Sequence, residues 1–304
     1  MTTKPDEKPA TDPEPPPART KSRPIADRSA KPPPPRSPLA ELGIGAAWLV
    51  GIGAVCQMAA ILLGSNPLAV TVVQAVIVDL AVGRAGVRWD PEADDKTAAE
   101  TRNATRGIGA GLGAAAAVTA IVMGVSAALG WASFEVHGPT MSLALGTIRA
   151  VAIGVRDAQL YVALPLFFVG RATGLGAASK PSAPRARIPL VSAVVFGALA
   201  GGASIALLPA ATPANVTLAA TVLAATGAFW LRDRNGWAAV GVCGGFAFVA
   251  GTLLRGGLVD VAWKKGTLAP GLVADGAPAW IAATLFVLVA ALVLRFRQPP
   301  PPPP

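Results

Sequence analysis

The chain of 304 residues is 53% hydrophobic and only 14% charged, with a mean hydropathy of +0.53, outside the range of soluble globular domains. Two cysteines and one histidine exclude a disulfide framework and leave few soft ligands for a metal centre. The formal net charge of +9 needs a partner or a topology to explain it.

Twelve of the 29 prolines fall between Pro5 and Pro38. The same stretch mixes eight Lys and Arg with five acids and has too little apolar surface to fold. Residues 1–40 therefore read as a disordered, Pro-rich tail, a solvated spacer rather than a cleaved signal peptide. The first apolar segment then serves as the insertion signal.

About 20 apolar residues at 1.5 Å rise cross a bilayer core of about 30 Å. Eight segments meet that ruler: 42–64, 67–83, 107–131, 141–170, 188–208, 214–231, 237–258 and 279–296. Between them lie SNP, WDPEADDK, KPSAPRAR, PAATP and LRDRNG, clusters of turn formers and charge. Residues 297–304 form a second Pro-rich tail. The predicted architecture is an all-α, polytopic membrane helix bundle of about eight transmembrane helices with disordered Pro-rich termini, its membrane domain covering 41–296.

Alternate connections carry Arg84, Arg88, Lys96, Arg102 and Arg106, then Arg171, Lys180, Arg185 and Arg187, then Arg232 and Arg234, and finally Arg295 and Arg297. The opposite connections hold little beyond Lys264 and Lys265. Positive residues mark the cytoplasmic side, so both termini are expected there. The Ala-, Gly-, Pro- and Arg-rich usage fits a bacterium with GC-rich DNA, hence an inner-membrane protein. The positive charge is then explained by topology and anionic lipid, and nucleic acid is not an expected partner.

Glycines one turn apart at Gly107 and Gly111, Gly109 and Gly113, and Gly197 and Gly201 let helices approach closely, and tight internal packing accounts for them. His137, in FEVHGPT, reads as a solvated loop residue at the outer edge of the third span. Neither a Gly-x-x-x-x-Gly-Lys-Ser/Thr loop nor a Gly-x-Ser-x-Gly elbow occurs, which leaves nucleotide and serine hydrolysis without their usual machinery.

What remains is polar chemistry at membrane depth: Gln57, Asp79, Arg149, Arg156, Asp157, Gln159 and Arg255. A charge at the centre of a spanning helix costs about 2.5–3.5 kcal/mol, so these groups are expected inside the bundle with partners. Arg156 and Asp157 are adjacent and point about 100° apart on a helix. Each is therefore expected to find its partner on another helix, Asp79 being the candidate for Arg156 or Arg149.

The segment GVRDAQLYVALP, 154–165, resembles the first motif of the CAAX protease and bacteriocin-processing (CPBP) family of intramembrane metalloproteases, Glu-Glu-x-x-x-Arg. Asp157 then stands at the first glutamate, Ala158 at the second and Val162 at the arginine. Phe196-Gly-Ala-Leu-Ala200 is similar to the family's Phe-x-x-x-His, with Ala200 at the histidine. In LRDRNGWAAVGVCGGFA, Cys243 takes a second histidine's place and Ala247 that of the Asn or Asp one turn later. The resemblance covers 141–296.

In the intact family a glutamate and two histidines hold a metal whose bound water attacks a peptide bond. Here the resemblance implies that the fold is kept and the Glu and His ligands are lost. The expectation is a catalytically inactive protein, with no cofactor, that binds or scaffolds a transmembrane or lipidated protein segment in the old cleft. Two readings stay open beside it. One is an active protease with an unusual ligand set and zinc; the other is a small-solute transporter or channel lined by Asp79, Arg149, Arg156 and Asp157.

Overall fold

The computed structural model describes residues 37–87, 97–174, 187–233 and 236–295, and everything below concerns these. The disordered tails predicted for 1–40 and 297–304 fall, apart from residues 37–40, outside them. So do Arg88, Lys96, Lys180, Arg185, Arg234 and Arg297 of the charge count. All the described residues belong to the unit 36–304 of a chain that divides at residue 35.

Eight continuous helices occupy the eight apolar segments. Ser37 opens α1 (Pro38–Leu63) by accepting the Ala40 N–H at 3.3 Å, and Asn66 opens α2 (Pro67–Ala85) by accepting that of Ala69 at 3.1 Å. Pro at the first helical position follows each cap, where its missing N–H costs nothing. Next come α3 (Thr97–Ala128) and α4 (Met141–Ala158). A π-helical turn, Gln159–Ala163, carries α4 directly into α5 (Leu164–Ala172). The chain goes on through α6 (Arg187–Ala206), α7 (Pro213–Asp233), α8 (Trp237–Phe248) with a second π-helical turn Val249–Leu253, and α9 (Gly276–Arg295). Seven of these rods are long and apolar enough to cross a membrane, α4 to α5 counting as one. The chain is a multi-pass membrane protein.

Pro165 explains the first π-helical turn. It has no N–H to offer the Tyr161 carbonyl four residues back, and its ring crowds that carbonyl. The helix widens there, with the Leu164 N–H reaching the Gln159 carbonyl five residues back. Gly197 on α6 leaves room for the displaced Tyr161 oxygen, because a Cβ at that position would overlap it.

The remaining rod, α8, is the hub. Every residue from Ala238 to Ala247 is buried, and α3, α4 and α7 pack around it. Close approach depends on glycine: a Cβ on Gly154 of α4 would sit 2.7 Å from the Val240 carbonyl, and Gly107 and Gly111 of α3 meet Trp237 and Ala238 in the same way. Gly109 and Gly113, on the other face of α3, have nothing within 4 Å. The packing expected from the sequence thus holds for one glycine pair of α3 and not the other.

The helix through α8 stops at Leu253 rather than at 258 as predicted, because Gly256 adopts φ +83 and Gly257 follows it into a turn. The next residues form a strand that the sequence had not announced. β2 (Val259–Trp263) pairs antiparallel with β1 (Ala132–Val136), Ala132 opposite Trp263 and Val136 opposite Val259. The two strands follow α3 and α8, and four rods run between them: α4 to α5, α6, α7 and α8. Their pairing therefore requires an even number of crossings between them, which four rods that each cross the bundle supply. It puts Lys264 and Lys265 at this ribbon end, with Arg84, Arg171, Arg232 and Arg295 in the last turns of their helices at the opposite, basic end, and Arg106 in the third turn of α3.

Candidate functional site

One cavity of about 220 Å³ lies in the ribbon half of the bundle. α4 supplies Arg149, Ile153, Arg156 and Asp157, and the π-helical turn adds Tyr161. The spacing 149, 153, 156–157, 161 is one face of a continuous helix. Facing them, α6 contributes Gly201, Ser204 and Ile205; α7 contributes Asn215, Leu218, Ala219, Val222 and Leu223; and α8 contributes Cys243, Phe246 and Ala247. Pro270 and Gly271, from the segment between β2 and α9, form the lip. Irregular backbone is tolerated at this depth because it is enclosed by protein: Leu268, Ala269 and Ala274 on either side of the lip are buried.

Electrostatically the cavity centres on Arg156. Its Nε lies 2.6 Å from Asp157 Oδ1, and its NH1 donates to Gln74 Oε1 on α2 at 2.7 Å. Gln74 in turn donates to the Cys56 carbonyl of α1 at 3.0 Å, so one side-chain relay ties three helices. The expectation that adjacent Arg156 and Asp157 would each turn to another helix is corrected here. A long, flexible arginine side chain folds back across the helix surface to the neighbouring carboxylate, and only its far nitrogen leaves the helix. That nitrogen goes to Gln74, not to the Asp79 named from the sequence. Asp79, exposed on α2, accepts from Gln159 Nε2 at 2.6 Å, while Gln159 Oε1 is buried without a hydrogen-bond partner among the described residues.

Arg149 is exposed at the cavity wall and forms no ion pair or hydrogen bond among the described residues. The described cavity wall thus carries two guanidinium groups and one carboxylate. Two other expected interior groups lie elsewhere. Gln57 is on the exposed face of α1, and Arg255 is exposed in the turn beyond α8, bridged through its backbone to Asp260. Gln57 is within the span but faces outward, whereas Arg255 lies beyond the end of its helix at Leu253 although the apolar run continues to 258. His137 lies in the loop that follows β1, the loop position expected from the sequence, but is half-buried, with Nε2 3.5 Å from Asp260 Oδ2.

Of the motif positions, Asp157, Cys243 and Ala247 share the cavity, and Gly201, next to Ala200, lines it while Ala200 does not. Ala158 is fully buried against Ala239 and Val240, and Val162 against Leu166, Ala193 and Val194. Phe196 is exposed on the outside of α6. The possible donors do not fit a catalytic zinc site, which takes three protein ligands and an open position. Asp157 is engaged by Arg156, the Cys243 thiol lies 3.0 Å from the Thr226 hydroxyl, and no histidine is near. No set of three His, Cys, Asp or Glu side chains converges among the described residues.

Sequence reasoning missed Tyr161, Ser204, Asn215 and the relay residue Gln74. Tyr161 was legible from its helical spacing to Asp157. Asn215 reads as a cap: its Oδ1 accepts the Thr212 N–H at 3.0 Å, and only the tertiary fold turns that cap toward a cavity. Comparison of the chain with protein-family profiles, with curated proteins and with solved structures returns no match.

Proposed function

We propose that this protein is a non-hydrolytic binding protein of the membrane, built on the plan of the CPBP intramembrane metalloproteases, that holds part of a membrane-embedded ligand in the cavity between α4, α6, α7 and α8. One observation carries the reading. Asp157 and Cys243, two positions matching the family's ligand motifs, line one cavity, and each is already bonded to a protein neighbour. The half-buried Arg156–Asp157 ion pair is retained because leaving either charge alone is costly. With Ala158, Val162 and Ala200 at the other motif positions, neither a base nor a histidine ligand is available there. The ligand class inferred from the resemblance is a transmembrane or lipidated protein segment. A helix is 10–12 Å across, so about 220 Å³ admits the end or a side chain of such a segment rather than its whole width. Basic residues at one end of the bundle favour an orientation with both termini cytoplasmic and the ribbon outside.

The test is the purified full chain in nanodiscs, assayed for zinc and for cleavage of a membrane-embedded reporter peptide, beside Asp157→Ala and Cys243→Ala. The expected result is no stoichiometric zinc and no cleavage in any of the three. Zinc at one per chain with cleavage, both lost in the folded Cys243→Ala protein, would overturn it.

A further inference from the structure

We propose that the cavity holds the phosphate-bearing headgroup of an anionic phospholipid, held by Arg149, with the acyl chains leaving between α4 and α6 into the bilayer. The inference rests on the binding reading above and puts a lipid in place of the protein segment that the resemblance implies.

Four observations converge. First, Arg149 is the unneutralised charge: Arg156 has Asp157 and Gln74, whereas Arg149 has no partner among the described residues. Second, Arg149 lies eight residues into α4, about 12 Å along the helix axis. A guanidinium at that depth must snorkel or find an anion. A lipid phosphate offers a guanidinium two oxygens in matching geometry.

Third, α4 packs against α2 and α8, while α6 packs against α7, α5 and the π-helical turn. The two helices share the cavity without sealing each other along it. Exposed apolar side chains on both, Ile148 on α4 and Leu199 on α6 among them, suit acyl chains. Fourth, about 220 Å³ exceeds the roughly 150 Å³ that accepts benzene in a protein interior. That is room for a headgroup, with the chains left outside. Ser204 and Asn215 add a hydroxyl and an amide on the facing wall for glycerol or headgroup oxygens.

Full-length protein is reconstituted in nanodiscs of phosphatidylcholine with or without phosphatidylglycerol, and bound lipid is counted by native mass spectrometry. Ala219→Cys, in a Cys56→Ser, Cys243→Ser background, reports cavity access through its maleimide labelling rate. Phosphatidylglycerol is expected to be retained about fivefold better than phosphatidylcholine, the effect of one cation beside an anionic lipid, and to slow labelling by a similar factor. Arg149→Gln should abolish the preference and Arg149→Lys should keep most of it. Neutralising Lys264 and Lys265 should leave it intact, and the Arg149→Lys protein also controls for folding.

A preference that survives Arg149→Gln, or that disappears with the two lysines, overturns the inference in favour of a diffuse surface effect. Protection by inorganic phosphate as strong as by the lipid overturns it in favour of a free-anion site. Protection by a hydrophobic peptide alone removes the lipid and leaves the binding reading standing. A cavity that no probe protects removes both.

Discussion

Arg156 and Asp157, neighbours in the chain, close an ion pair of 2.6 Å beside the π-helical turn, and the same guanidinium reaches Gln74 on a different helix at 2.7 Å. The pair is about three-quarters shielded from solvent, so each charge depends on the other. Removing one partner of such a pair leaves an uncompensated ion, whereas replacing both with apolar groups of similar volume comes close to neutral. Asp157→Ala is expected to lose about 3 kcal/mol in equilibrium unfolding in mixed micelles. The double variant Arg156→Met, Asp157→Leu should recover more than half of that loss. A double-mutant cycle with the single variants Arg156→Met and Asp157→Leu checks it: additive losses would mean that the two charges do not stabilise each other.

Gln74 joins three helices through two hydrogen bonds, so the cost of losing it should exceed that of one polar contact between membrane helices. Gln74→Leu removes the bond to the Cys56 carbonyl and strips Arg156 of its cross-helix acceptor. The expected loss is about 2 kcal/mol, most of it from the charged bond. Gln74→Glu gives Arg156 a carboxylate but has no N–H for Cys56, and should cost less than Gln74→Leu. The same unfolding titration reads both, and equal losses would show that the acceptor side of Gln74 contributes nothing.

These residues also mark how far the sequence could be read. Hydropathy located all eight helices to within a few residues at most ends, because membrane depth fixes their length and composition together. Ser37 and Asn66, each followed by proline, set two starts that the apolar count placed close by. The strands ASFEV and VDVAW escaped notice because five residues inside loops leave little periodicity to detect, and each depends on a partner more than 120 residues away. The site was half legible. Arg149, Arg156 and Asp157 declared themselves by their cost in hydrocarbon, but Gln57 and Arg255 carried the same signal and lie on the outside. Spacing along one helix brings Tyr161 to Asp157, yet nothing in the sequence says that α6 and α7 would lay Ser204 and Asn215 opposite them. That depends on which helices have glycine at their crossing points.

Helix crossings give the next expectation. Gly154 faces the α8 backbone so closely that a Cβ would lie 2.7 Å from the Val240 carbonyl and 3.0 Å from the Gly244 Cα, whereas Gly109 has nothing within 4 Å. A backbone neighbour cannot rotate away as a side chain can. Gly154→Ala should therefore push α4 off α8 at a cost of about 1–3 kcal/mol. Gly109→Ala should be neutral, or stabilising by up to about 1 kcal/mol through helix propensity. Opposite signs for one chemical change would be read in thermal unfolding of the two purified variants. A cost at Gly109 equal to that at Gly154 would contradict the assignment of the two glycines to different environments.

The ribbon links the third and seventh intervals of the chain, and so tests the whole threading at once. Ser133 stands directly opposite Ala262 across the two strands, at a spacing that places paired Cβ atoms about 4.5–5.5 Å apart. A disulfide needs only a slightly shorter separation. In a background with Cys56 and Cys243 changed to serine, Ser133→Cys with Ala262→Cys should cross-link under mild oxidation, while Ser133→Cys with Arg84→Cys, at the basic end, should not. In intact cells a membrane-impermeant maleimide should label the single Ser133→Cys protein and spare the single Arg84→Cys protein, because positive residues mark the cytoplasmic side. Labelling in the reverse order would invert the orientation and leave the fold untouched. Failure of the 133–262 cross-link would instead break the pairing of β1 with β2, and with it the argument that the four rods between them return the chain to the same end of the bundle.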